Sequence, residues 1–197
     1  MHHYGVPFSP MVFLPFMGAV IAMKSHPKDA WQDAVIAFGG PVFGTLGAAG
    51  VAVGAQMTDS QLLYALADFG FMINMFNMMP IGDMDGGRIA GALSPYAGVV
   101  GLGMGGGLIY AGAISNPLFY LIMLAGGWST FQRFYDPAGH RPANYYRITQ
   151  TQRWTLGAGY FGLLGAIATG MSFNSLNKKS PEEIQRYQEL SFDEREF

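Results

Sequence analysis

Cysteine is absent from the 197 residues. That excludes a disulfide-stapled secreted domain and any zinc or iron–sulfur site built on thiolates. Charge is also scarce: Lys, Arg, Asp and Glu make up 12% of the chain, against about 25% in soluble domains. The net charge of −2 leaves no basic surplus of the sort that covers a nucleic-acid-binding surface, so no nucleic-acid partner is expected. What remains is 50% apolar and includes 28 Gly. Little charge with many small and apolar residues points to lipid as the solvent. The length suits one domain.

The few charges are unevenly placed. Residues 174–197 hold 4 of the 11 basic and 6 of the 13 acidic side chains. The chain therefore divides into a neutral membrane body, 1–173, and a polar tail, 174–197. Within the tail, Ser180-Pro181-Glu182-Glu183 reads as a helix start, with Ser as N-cap, Pro in the first turn and acids at the positive dipole end. A short surface helix through Leu190 is expected.

A bilayer core about 30 Å thick needs roughly 20 apolar residues per helix. Five stretches are candidates: Trp31 to Met57, Leu62 to Pro80, Pro95 to Ser115, Pro117 to Phe131 and Trp154 to Phe173. The apolar stretch Met11 to Met23 is too short to span, and Pro7, Pro10 and Pro15 oppose a helix there. It is read as a re-entrant or interfacial hairpin. The predicted fold is thus an all-α polytopic membrane protein of about five transmembrane helices plus this hairpin. No signal peptide is expected, because the first ten residues lack a charged and then apolar leader pattern.

Orientation follows from the basic residues. With five crossings, Lys24, Lys28, Arg88, Arg133, Arg141, Arg147 and Arg153 all fall on one side, predicted cytoplasmic. The connections 58–61 and 116 carry none. The tail, with Lys178 and Lys179, falls on the opposite side.

The stretch from Asn74 to Arg88 is the richest in chemistry. Two carboxylates, Asp83 and Asp85, follow Asn77 and precede Gly86-Gly87 at the end of a span. Ionisable groups at membrane depth are expensive and mark functional sites by default. Pro80 ends the helix, and broken backbone is tolerated in a membrane only where protein or a water-filled cavity surrounds it. The plainer reading is an interfacial loop that happens to carry Asp and Arg.

Asn77-x-x-Pro80-x-x-x-x-Asp85-Gly86-Gly87-Arg88 resembles the signature of the site-2 protease family of intramembrane zinc metalloproteases. The likeness extends to Phe13 through Ile21, similar to the hairpin of the cyanobacterial and chloroplast-like branch. It also includes Gly40-Pro41-Val42-Phe43-Gly44, Tyr145-Tyr146-Arg147-Ile148 and Gln152-Arg153-Trp154, in the right order. The resemblance implies zinc-dependent cleavage of a peptide bond in the transmembrane segment of a membrane-protein substrate. It makes Asp85 the third zinc ligand and Asn77 a residue that positions the substrate backbone or the developing oxyanion. Gly40, Gly44, Pro80 and Gly86 become candidates for lining the substrate path. A zinc with three protein ligands keeps a position for water, which it acidifies, and a carboxylate acts as base.

One part of the family pattern is missing. The first two ligands and the base come from His-Glu-x-x-His, and this chain has no such motif; its four His are His2, His3, His26 and His140. Three explanations stand. The chain begins downstream of the motif in a longer protein; or the catalytic helix is lost, leaving a pseudoprotease that serves as a scaffold subunit of a membrane complex; or His2, His3 and Asp85 form a substitute site. Adjacent His on a helix point about 100° apart, which disfavours the last. As written the chain is expected to be inactive alone and to hold no zinc by itself. His26 and His140 read as loop residues.

Other features have plainer readings. The glycines from Gly101 to Gly107 lack the Lys-Ser/Thr of a phosphate-binding loop and read as close helix packing. Met72, Met75, Met78, Met79 and Met84 read as adaptable packing, or as substrate lining near Asp85. Gly40 and Gly44 form a small-xxx-small face for a neighbouring helix or an extended substrate strand. Asp68 faces the interior, pairs, or lies at the interface.

Overall fold

The computed structural model describes residues 12–14, 18–20, 27–115, 117–135 and 144–179. His2, His3, His26, His140, Arg141 and the expected tail helix from Ser180 lie outside the described residues.

Among the described residues there are six helices: α1 (Ala30–Thr58), α2 (Gln61–Asn77), α3 (Asp85–Leu93), α4 (Ala97–Tyr110), α5 (Pro117–Phe134) and α6 (Gln150–Asn177). Two short strands, β1 (Val12–Leu14) and β2 (Gly18–Val20), pair antiparallel with Val12 opposite Val20 and Leu14 opposite Gly18. This hairpin falls within the stretch read above as too short and Pro-rich to span.

Local chemistry sets the helix boundaries. The Asp29 carboxylate accepts from the Gln32 amide at 2.8 Å, while the Gln32 side chain accepts from the Lys28 amide at 2.8 Å, so two orphan donors at the start of α1 are satisfied. Asp59 closes α1 in the left-handed region at φ 48°, and Ser60 caps α2. Thr149 and Gln152 form a reciprocal capping box at the start of α6.

Among the described residues, α1 and α6 are the two helices both long and apolar enough to cross a membrane. α2 stops at Asn77 rather than at Pro80, and α4 has 14 residues rather than the 21 of the expected span. The charged stretch 80–95, between two of the expected spans, contains the short helix α3. The reason is the chain break at Pro80: after a tight turn, Asp85 starts a new helix with its carboxylate at the positive dipole end.

The core is built from small residues. α1 buries Ala30, Ala34, Ala37, Ala48, Ala52 and Ala55, whereas its larger apolar side chains Phe43, Leu46, Val53 and Met57 are exposed. This inverts the pattern of a soluble helix and suits helices that meet through Ala and Gly and turn bulk outward to lipid. α1 packs on α2, α3 and α6, and α4 pairs with α5. α6 runs parallel to α1: the Tyr145 carbonyl accepts from the Ala30 amide at 2.9 Å, and Phe38 lies against Gly159. α2 runs the other way, with Gly170 against Phe71 and Asn174 against Asp68.

The turn between α2 and α3 is packed among helices, with Asp83 as its exposed residue. Met78 and Ile81 are fully buried. The Tyr160 hydroxyl donates to the Met78 carbonyl at 2.6 Å. A Cβ at Gly86 would lie 2.7 Å from the Met78 Cα, and one at Gly101 would lie 2.7 Å from the Pro80 carbonyl carbon. Gly82 has φ +53°, a conformation that a side chain resists, and it faces Gly126 of α5. Glycines of α3, α4 and α5 thus let three helices close on one turn.

Gly101→Ala is expected to destabilise the protein by about 1–3 kcal/mol, because the turn backbone has nowhere to move. Gly106→Ala meets nothing within 4 Å and is expected to be neutral or to stabilise by up to about 1 kcal/mol through helix propensity. Denaturant unfolding in detergent, followed by circular dichroism, distinguishes the two.

Candidate functional site

The site lies where the start of α3 meets α1. Gly40 is ten residues into α1, about 15 Å along it at 1.5 Å per residue. A Cβ at Gly40 would lie 3.0 Å from Asp85 Oδ2. One turn further along α1, Gly44 meets the side-chain amide of Asn74, whose Nδ2 donates to the Gly70 carbonyl at 2.8 Å. Two polar side chains, Asp85 and Asn74, therefore rest on the small-residue face of α1.

Asp85 is held from one side. Arg88 Nη1 stands 3.7 Å from Asp85 Oδ1. Arg88 is itself fixed by Asp33: its Nε donates to Asp33 Oδ1 at 3.0 Å, and Nη2 bonds the same oxygen and, at 3.4 Å, the Asp33 carbonyl. The Tyr145 hydroxyl donates to Asp33 Oδ2 at 2.9 Å. A chain of contacts thus runs Tyr145, Asp33, Arg88, Asp85. Asp33 and Arg88 are both mostly buried, at 17% and 16% side-chain exposure, so losing either partner would strand the other charge away from water, at far greater cost than breaking a surface pair. Burial pushes the Asp85 carboxyl above its usual range; Arg88 offsets part of the rise and the Asp33 charge adds to it.

The residues singled out in the sequence are partly brought together. Asp85, Gly40 and Gly44 share one face, and Gly86 locks α3 onto the turn. Pro80 sits in that turn with its carbonyl against Gly101. Asn77 ends α2 half-buried, and the side-chain amide against Gly44 is that of Asn74. Met78 is packing, fully buried, and Met72 is exposed. Asp68 lies far from this site, accepting from Asn174 Nδ2 and, at 3.0 Å, from Lys178 Nζ. Asp33, Asn74, Tyr145 and Tyr160 were not singled out as site residues. The charge of Asp33 in an otherwise apolar stretch was the available signal.

The donor set does not fit zinc by itself. Asp85 offers one carboxylate, and Asp33 is committed to Arg88 and Tyr145. Among the described residues no group of three His, Cys, Asp or Glu is arranged to hold a metal ion. The site as described is a buried carboxylate–guanidinium network beside a small-residue face.

Comparison with protein-family profiles, curated proteins and solved structures returns no match for this chain.

Asp33→Ala leaves the Arg88 charge buried with a weaker partner and is expected to destabilise by about 3 kcal/mol. Tyr145→Phe removes one hydrogen bond to a charged group and is expected to cost about 1.5–3 kcal/mol. Asp85→Asn has the opposite sign. Its folded-state pKa is raised, so the stability it contributes is present at low pH and lost as pH rises through that value. At neutral pH the unfolding midpoint of Asp85→Asn is therefore expected to equal or exceed that of the parent protein.

Proposed function

We propose that the chain is a site-2-protease-like integral membrane protein that does not hydrolyse peptides by itself. The observation that carries this reading is the Asp85 carboxylate, held at a helix start against Gly40 of the neighbouring helix. Broken backbone, buried acid and small-residue face meet there, as the resemblance of the Asn77-to-Arg88 signature implies. That Asp85 is held there although burial disfavours its charge supports a functional reason for keeping it. The small-residue face at Gly40 and Gly44 suits an extended segment of a membrane-protein substrate. In this reading Asp85 serves as one zinc ligand only together with donors that the described residues do not supply.

A second reading is a non-catalytic scaffold subunit of a membrane complex. Arg88 favours it, because a cation already faces Asp85 at 3.7 Å.

The membrane part of the proposal extends beyond the two long helices. α2, α4 and α5 complete a five-span body, and their exposed Leu62, Leu66, Val100, Met104, Leu121 and Leu124 face lipid. The end bearing Arg88, Arg147 and Arg153 is cytoplasmic, in a bacterial inner membrane or a photosynthetic-type membrane.

Two measurements test these statements. Purified chain is expected to carry substoichiometric zinc, unchanged in Asp85→Asn; stoichiometric zinc that Asp85→Asn abolishes would overturn the inactive reading. The lack of cysteine makes topology simple to map. Thr58→Cys and Arg153→Cys are expected to react with an impermeant maleimide from opposite sides of sealed vesicles, and labelling from the same side would exclude five spans.

A further inference from the structure

The α4–α5 pair carries a cluster of exposed aromatic rings at one end. Trp128, Phe131 and Tyr135 follow each other along the last turns of α5 and beyond it. Trp128 and Phe131 have ring centroids 6.1 Å apart, and Phe131 stacks on Tyr135 at 5.8 Å with an interplanar angle of 18°. Phe134 meets Tyr96, next to the start of α4, at 5.7 Å. All five are at least half exposed, Tyr135 at 67% and Tyr96 at 66%. Towards the other end of α5, the exposed large apolar side chains are Tyr120, at 39%, and the more exposed aliphatic Leu121 and Leu124.

This order has a physical meaning. From Trp128 to Tyr135 the chain rises about 10 Å at 1.5 Å per residue, enough to cross one headgroup layer of roughly 5–7 Å. Indole and phenol rings combine an apolar body with a polar tip and favour that layer, whereas aliphatic side chains favour the acyl core. The α4 start and the α5 end lie at the same end of the molecule as Arg147 and Arg153, both exposed. Guanidinium groups there complement lipid phosphates.

We propose that the Tyr96, Trp128, Phe131, Phe134 and Tyr135 surface docks in the phosphate-bearing headgroup layer of a lipid bilayer, fixing the depth at which the α4–α5 pair sits. The proposal rests on the membrane reading above and adds which surface reads the interface.

The test uses the full chain reconstituted in phosphatidylcholine–phosphatidylglycerol vesicles, with bromine placed either near the ester end or near the terminus of the acyl chain. The Trp128 signal is the difference between the parent protein and Trp128→Phe, which leaves Trp31 and Trp154 in place. The bromine near the ester end is expected to quench that difference signal about twofold more than the deep one. Equal or stronger deep quenching overturns the proposal, since Trp128 would then lie in the acyl core. No quenching in protein that floats with the vesicles also overturns it, since another protein surface would then cover the ring. Failure to float at all removes the membrane reading itself, an outcome that flotation reports separately from quenching.

Discussion

The fold at the candidate site depends on how the backbone between α2 and α3 satisfies its polar groups. A turn buried among apolar helices has no water to bond, and each unpaired carbonyl or amide there costs free energy comparable to a lost hydrogen bond. The Tyr160 hydroxyl reaches the Met78 carbonyl, and the Ile81 and Met84 amides find Met79 and Ile81 carbonyls within the turn. Glycines at 86, 101 and 126 then let neighbouring helices approach close enough to exclude solvent. Remove that closeness and the turn has neither partners nor a fixed shape.

The turn in turn decides where the charges go. It brings Asp85 to the first position of α3, and one helical turn later Arg88 points at Asp33. Asp33 lies in the first turn of α1, 55 residues away, and Tyr145 lies 112 residues away. Four side chains from three segments therefore contact one another inside a mostly apolar body, two carboxylates sharing one guanidinium. The arrangement leaves Asp85 Oδ2 on the Gly40 face while Oδ1 faces the guanidinium.

The opposite end of the molecule repeats the theme of paired charge. Lys178 bonds Asp68 and Lys179 bonds Asp59, so the start of the polar tail is tied to the α1–α2 turn. Asn174, almost fully buried, donates to the Tyr64 carbonyl and to Asp68. Exposed pairs of this kind contribute little stability each, but they fix where the chain leaves the helical body.

Composition and local pattern by themselves determined a helical chain of lipid-suited character, the start of α1 to within one residue, and a helix break shortly before Pro80. These are legible because proline chemistry and apolar length act over a few residues. The start of α6 at Gln150 lies a turn before the expected Trp154, because a capping box at Thr149 extends the helix into polar sequence. Tertiary structure alone decided the rest. It shortened α2 and α4 relative to their apolar runs, because helix ends at 77 and 110 are set by packing and turn geometry rather than by hydropathy. It placed Asn74 against Gly44, a contact between helices that no spacing within α2 could express. It joined Asp33 to Arg88 and Tyr145 to Asp33, because such long-range pairs exist only once the helices have closed on the turn.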